Sequence, residues 1–252
     1  MIEIKNLTKK YGEKAVVDNV SLKIERGGIT SFIGANGAGK STLIGMVTRL
    51  LPRDGGEVWI DGKEVAATRS DELARKISIL RQENHVSAKL SVRELVAFGR
   101  FPYSKGRLSS EDEKAIDRAI AYLELDEVQD RYLDQLSGGQ RQRAFVAMVI
   151  CQETDYIILD EPLNNLDMKH SVQIMQVLRR MATELNKTII LVIHDINFAS
   201  CYSDNIVALK DGKLVRHGTR DEMIDRSVLR EVYDMEIPIE IIAGNRIGVY
   251  FA

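Results

Sequence analysis

Residues 34–41, "GANGAGKS", set the terms on which the rest of the chain is read. They fit the spacing G-x-x-x-x-G-K-[ST] and follow directly on the aliphatic run "ITSFI", residues 29–33. Glycines at that spacing, where a strand turns into a helix, let backbone N–H groups close around phosphate oxygens, and the helix start adds a favourable dipole. Lys40 is then placed to reach the β- and γ-phosphates, and the Ser41 hydroxyl to ligate Mg²⁺. The expected cradle comprises Gly34, Asn36, Gly37, Gly39, Lys40, Ser41 and Thr42, and it holds ATP or GTP. The plainer alternative is a glycine-rich turn after a strand. A chance match to the whole spacing arises in about one chain in a hundred of this length, and the strand context lowers that further.

Working outward, "YIILD" (residues 156–160) and "TIILVIH" (residues 188–194) join "ITSFIG" as aliphatic runs followed by helical patterns, the mark of buried parallel strands. Ligands of open α/β sheets bind at the carboxyl ends of such strands. Asp160 and Glu161 stand at the end of one run, His194 at the end of another. Asp160 is expected to hold Mg²⁺, Glu161 to polarise the attacking water and His194 to contact the γ-phosphate. Gln82, after a short aliphatic run, is a candidate to bridge Mg²⁺, water and a neighbouring lobe. Tyr11, just before Gly12, is a candidate to stack on the nucleobase. Taken singly, each has a structural reading instead: a solvated acidic pair, a hydrogen-bonded histidine, a tyrosine at a core edge.

The flanks read as β. Val20, Leu22 and Ile24 alternate with polar residues, and Asp61-Gly62, Asp211-Gly212 and Gly244-Asn245 are hairpin signals. The middle reads as helix: Ser110 and Glu113 have capping-box spacing, and Ala115, Ile116, Ala119, Ile120 and Leu123 fall on one face. The organisation expected is α/β, a mostly parallel sheet with an antiparallel β subdomain and an inserted helical subdomain. The core would come from residues 1–83 and 154–252, and the helical insertion from residues 84–153. "IPIEIIAGNRIGVYFA", residues 237–252, reads as a small hairpin with no chemistry assigned.

At 252 residues the chain has ample length for a core without disulfide or metal staples. Cys151 and Cys201 lie far apart in no metal-ligand spacing, as reduced cytosolic thiols do. The net charge of −2, with no polybasic tract, argues against nucleic acid as partner. The N-terminus lacks the apolar core of a signal peptide, and "TIILVI" is too short to cross a bilayer. Any membrane role is expected to come through a partner.

"LSGGQ", residues 136–140, is a second glycine-rich anion site. Ser137, Gly138 and Gly139 offer a hydroxyl and backbone N–H groups, and Phe145, Met148 and Val149 mark one face of the helix that follows. A glycine pair capping a surface helix is the plain alternative.

With Tyr11, residues 34–42, Gln82, "LSGGQ", "YIILD" with Glu161, "NNLD" ending at Asp167, and His194, nearly the whole chain resembles the nucleotide-binding subunit of an ATP-binding-cassette (ABC) transporter. The resemblance implies a P-loop NTPase core with a helical signature subdomain. It implies ATP with Mg²⁺, the ion being held by Ser41, Gln82 and Asp160. It also implies a head-to-tail dimer in which Ser137, Gly138, Gly139 and Gln140 of one subunit close over the γ-phosphate bound by the other, with Asp167 linking the two sites. Glu161, His194, Lys40 and Gln82 carry the chemistry in this reading. Two membrane permease subunits are the implied partners, gripping a groove lined by Gln82 and the residues after it, up to Arg107. Phe98, Arg100, Phe101, Tyr103 and Arg107 fit either that contact or packing inside the helical lobe.

"VAFGRFPYSKGR" (residues 96–107) and "DEPLNNLDMKHS" (residues 160–171) are most similar to the ATPases of bacterial ferric-siderophore importers, within the iron-complex and vitamin B12 group. Leu163, where the wider family has Thr, goes with that branch; Arg81, where Pro is usual, does not follow the pattern. The implied protein works at the cytoplasmic face of the bacterial cell membrane, peripheral through its permease, with a siderophore-binding protein as indirect partner. An ABC ATPase for another cargo, or a non-transport one such as an iron–sulfur assembly module, is the alternative.

Overall fold

Alternating apolar and polar residues from Ile2 to Ile24 fold as an antiparallel pair, β1 (Ile2–Tyr11) and β2 (Lys14–Ile24), in a computed structural model that describes residues 1–82, 88–164 and 166–251. Ile2, Ile4 and Leu7 face Val17, Val20, Leu22 and Ile24 in a buried layer. After β3 (Gly28–Ile33) and α1 (Lys40–Val47), β4 (Gly55–Ile60) joins the other side of β1 and turns through Asp61-Gly62 into β5 (Lys63–Glu64). Both turn residues have positive φ, 51° and 78°, which matches the twist of a two-residue hairpin. The four-strand order is β2-β1-β4-β5, the expected antiparallel subdomain.

The chain divides into two compact units, residues 1–68 with 188–252, and residues 69–187. The second unit opens with α2 (Ser70–Ala74) and β6 (Ile77–Leu80), continues through α3 (Val92–Ala97), α4 (Phe101–Ser104), α5 (Ser110–Tyr122) and α6 (Gly138–Cys151), and closes with β7 (Tyr156–Asp160) and α7 (Met168–Glu184). β6 and β7 pair in parallel, and every residue of β7 is buried. The expected face of α5, from Ala115 to Leu123, is buried throughout. Its capping box lies one residue earlier than the sequence spacing suggests. Ser109 is the N-cap, its hydroxyl accepting from the Asp112 N–H at 3.3 Å while Asp112 accepts from the Ser109 N–H at 2.9 Å.

Arg100 explains that choice. Its side chain is 8% exposed; Nε donates to Asp112 at 2.8 Å, Nη1 to the Cys151 carbonyl at 2.9 Å and to Glu153 at 3.0 Å, and the guanidinium lies over Tyr103 at 4.2 Å. The Tyr103 hydroxyl donates to the Gln152 carbonyl at 3.0 Å. Arg100 and Tyr103 therefore pack inside the helical lobe, one of the two readings that the sequence left open for them. Phe98 and Phe101 are more than half exposed.

The Ser109 N–H, then the Arg100 guanidinium and the Ser109 hydroxyl, hold Asp112 down at about 2. Because the folded value lies below the unfolded one, this stabilisation is complete above the ordinary carboxylate pKa and is lost as pH falls through about 2. Asp112→Ala leaves the buried Arg100 charge with fewer partners and is expected to cost about 3 kcal/mol, the low end for a broken buried pair, since Glu153 and the Cys151 carbonyl remain. Urea midpoints should show the full difference from wild type at neutral pH, narrowing below about pH 4.

The first unit resumes with β8 (Thr188–Val192), α8 (Ile196–Tyr202), β9 (Asn205–Lys210), β10 (Lys213–Thr219), α9 (Arg220–Met223) and α10 (Arg226–Tyr233). β3 pairs in parallel with β8 on one side and β9 on the other, and β10 returns antiparallel along β9 through Asp211-Gly212. Five fully buried residues in β8, each aliphatic one contributing about 1.5–3 kcal/mol, account for the uninterrupted apolar run in the sequence. The last hairpin, β11 (Ile239–Ile242) and β12 (Asn245–Gly248), turns on Ala243-Gly244, one residue before the expected Gly244-Asn245. Among the described residues no helix is long and apolar enough to cross a membrane.

Candidate active site

In the first unit β3 delivers the chain into the glycine-rich loop that begins at Gly34, and α1 starts at Lys40. Gly34 (φ 141°) and Gly39 (φ 95°) are jammed: a Cβ would stand 2.2 Å from the Leu209 carbonyl oxygen at the first and 2.5 Å from that of Val16 at the second. Gly37 (φ 80°) has nothing within 4 Å of that position, and with Ala35 and Asn36 it forms an exposed crest. The two outer glycines fit the loop to the fold, whereas the middle one keeps open the face a phosphate would approach. Lys40 is buried, and its Nζ donates to the carbonyls of Gly34 (2.7 Å) and Ala35 (3.0 Å). The Ala38 carbonyl accepts from the Gly212 N–H in the β9–β10 turn at 3.2 Å. Ser41 and Thr42 follow in the first turn of α1, both half-buried.

Gly34→Ala is expected to abolish a folded loop and with it ATP binding. Gly37→Ala should fold at a cost of about 1–2 kcal/mol for the left-handed backbone. Thermal melts of the two variants, with a fluorescent ATP titration of each, check the contrast.

Tyr11 ends β1 at the hairpin tip, 55% exposed, with the Lys9 ammonium 5.5 Å from its ring centre. His194 is exposed just past β8, immediately before Asp195, which caps α8 by accepting from the Asn197 N–H at 2.8 Å.

In the second unit the parallel strands β6 and β7 place Gln82 and Glu161 together. Glu161 is 9% exposed and carries a left-handed backbone (φ 52°), a strained setting for a residue with a side chain and one that recurs at functional sites. Its Oε2 accepts from Gln82 Nε2 at 2.7 Å and from the Asn164 side-chain amide. Asp160, also buried, is the last residue of β7.

In the signature segment the serine and the glutamine satisfy each other. Ser137 caps α6, its hydroxyl accepting from the Gln140 N–H at 3.2 Å, while Gln140 Oε1 accepts from the Ser137 N–H at 3.1 Å. Gly138 and Gly139 fill the first two helical positions, whose N–H groups point out of the helix end. Gln142, one turn on, donates to the Pro162 carbonyl at 2.9 Å, tying this helix to the loop after Glu161. Asp167 caps α7, and its Oδ1 meets both the N–H and Nδ1 of His170 at 2.8 Å. The His170 N–H, then its ring, hold the Asp167 carboxyl below the usual range. The same His170 ring lies 3.4 Å from where a Gly139 Cβ would be, so it joins the Asp167 cap to the signature glycines.

Gln82 and Glu161 are thus brought into contact, as are the signature and the Asp167 cap through His170. Residues 83–87, expected along the permease groove, and Asn165 of the "NNLD" loop lie outside the described residues. Sequence reading missed Asn164, Gln142 and His170 as partners of the expected residues. His170 and Asn164 had a local signal, each standing three residues after the carboxylate it meets.

The model of the family described as ABC transporter matches residues 17–164, more than half of the chain. The chain belongs to the ABC transporter family. This ABC ATPase is 60% identical to the petrobactin import ATP-binding protein YclP of Bacillus subtilis (strain 168), over all of both chains. It is 52% identical to the petrobactin import ATP-binding protein FatE of Bacillus anthracis, over 99% of this chain and 100% of the other. Among solved structures it resembles the dimeric, post-hydrolysis ATP-binding cassette MJ0796 bound to ADP and Pi, with a TM-score of 0.78 and 32% identity, covering 87% of this chain and 99% of that one. The ABC ATPase binds ATP and couples its hydrolysis to transport; its relatives include two petrobactin import ATP-binding proteins.

Proposed function

We propose that this ABC ATPase powers import of a ferric siderophore, with petrobactin or a chelate of the same donor chemistry as cargo. The observation that carries the reading is the end-to-end likeness to two ATP-binding proteins of petrobactin import. In this reading two copies pair head to tail. Ser137, Gly138, Gly139 and Gln140 of each close on the γ-phosphate held by residues 34–42 of the other, and Asp167 links the two sites. The dimer of the related cassette with ADP and Pi supports such pairing.

Glu161 takes the proton of the attacking water, the bond from the γ-phosphorus to the ADP oxygen breaks, and phosphate leaves; the amides of Gln82 and Asn164 keep the carboxylate aimed. Lys40 holds the β- and γ-phosphates, Tyr11 stacks on adenine and His194 contacts the γ-phosphate. Mg²⁺ suits the donors available, since the Ser41 hydroxyl, the Asp160 carboxylate and the Gln82 oxygen are the hard oxygens it takes. The Gln82 nitrogen is engaged by Glu161, so Gln82 would offer the ion its oxygen. Bound there, Mg²⁺ would neutralise phosphate charge.

The exposed Phe98 and Phe101 form the apolar part of the surface that two permease subunits grip. The chain then sits at the cytoplasmic face of the cell membrane, and a siderophore-binding protein delivers the chelate on the far side.

The test is uptake of radio-iron, offered as a panel of ferric catecholates and hydroxamates, in cells whose sole ATPase of this class is wild type or Glu161→Gln. Loss of petrobactin-type uptake alone in the variant is the expected result. Unchanged uptake of every chelate overturns the cargo assignment.

A further inference from the structure

The C-terminal segment, to which the motifs assign no role, reaches the phosphate loop. α10 buries Val228, Leu229 and Val232, and its last residue, Tyr233, projects its hydroxyl to accept the Gly34 N–H at 3.2 Å. On its other side the Gly34 carbonyl accepts Lys40 Nζ, and the space for a Cβ is filled by the Leu209 carbonyl. Both polar groups of the Gly34 backbone are thus held, one by the lysine of the loop and one by a residue 199 positions away.

Burial pushes the Tyr233 phenol up to about 12, so it remains neutral and sets no negative charge beside the phosphates. The carboxylate of Asp195, the residue after His194, acts electrostatically on Tyr233 and on Tyr250. β12 docks on the helix that Asp195 caps: Asn197 and Gly248 exchange two hydrogen bonds, at 2.8 and 3.1 Å, and Ser200 donates to the Arg246 carbonyl at 2.6 Å. The C-terminal segment therefore braces the chain where it leaves β3 and where it leaves β8.

We propose that Tyr233 is a positioning residue for ATP binding, its hydroxyl fixing the Gly34 peptide so that the loop is shaped for phosphate before the nucleotide arrives. Holding the loop in its binding geometry beforehand removes an ordering cost that binding would otherwise meet, so the effect falls on affinity and not on the bond-breaking step. The inference rests on residues 34–42 being the phosphate cradle, which Lys40→Ala tests separately.

Tyr233→Phe deletes one oxygen and keeps the ring. With the full chain, a fluorescent ATP titration and steady-state hydrolysis should show Kd and KM raised about three- to tenfold, as for loss of one hydrogen bond to a buried N–H. kcat at saturating ATP should stay within about twofold, and Tm within about 3 °C. In the wild-type chain without nucleotide, amide hydrogen exchange at Gly34 should be slow and should quicken in the variant. Unchanged Kd and KM overturn the proposal whatever happens to Tm, because packing alone would move only Tm. A fall in kcat at constant KM, or fast exchange at Gly34 in the wild type, overturns it as well. Should Lys40→Ala leave ATP affinity intact, the cradle assignment fails first and this inference with it. A loss of affinity in Lys40→Ala with none in Tyr233→Phe rejects Tyr233 alone.

Discussion

Glu161→Gln is expected to lower ATP turnover by about a hundred- to ten-thousand-fold, the range for loss of a general base, while ATP binding survives. The local geometry makes this a clean substitution. The amides of Gln82 and Asn164 both donate to one Glu161 oxygen, and a glutamine carbonyl can accept the same two bonds. What disappears is the second, basic oxygen. The left-handed backbone at this position is unchanged in cost, since neither residue has an advantage there. Single-turnover hydrolysis with matched nucleotide titration checks it, and near-wild-type turnover would remove Glu161 from the role.

Lys40→Ala should raise the Kd for ATP about a hundredfold or more, because charge-assisted hydrogen bonds contribute about 1.5–3 kcal/mol each and the ammonium is assigned two phosphates. A second consequence comes from the loop. Lys40 Nζ bridges the Gly34 and Ala35 carbonyls, so its removal also loosens the backbone that shapes the cradle. Lys40→Arg would keep the charge yet set a larger planar head in a buried site, and it is expected to recover little affinity. Equilibrium titration decides both, and full affinity in Lys40→Ala would reject the cradle.

Much of the local structure of the candidate site was legible because its signals are local. A buried strand ending at Asp160, a glycine-rich loop with Lys40 at its exit, and a helix beginning at the Gly138-Gly139 pair each follow from backbone geometry within a few residues. The one-residue slips had a different origin. Ser109/Asp112 and Ser110/Glu113 fit the same capping pattern, and only the buried Arg100, needing a carboxylate at 2.8 Å, selects the first. The final hairpin could turn at either of two adjacent pairs. Its register goes with Gly248, which exchanges hydrogen bonds with Asn197, and a Cβ there would come within 2.6 Å of Ile196.

Sequence alone determined the strand and helix periods, the glycine-rich turn after β3, the acidic end of β7 and the helix that follows the second glycine pair, since each is set by neighbours within one turn or one strand. Tertiary structure alone decided that Arg100 and Tyr103 pack inside the helical lobe, that Gln82 meets Glu161, and that Tyr233 holds Gly34. The reason is physical. A buried polar group must find a partner wherever the fold brings one, and nothing in the spacing of residues along the chain records which distant group that is.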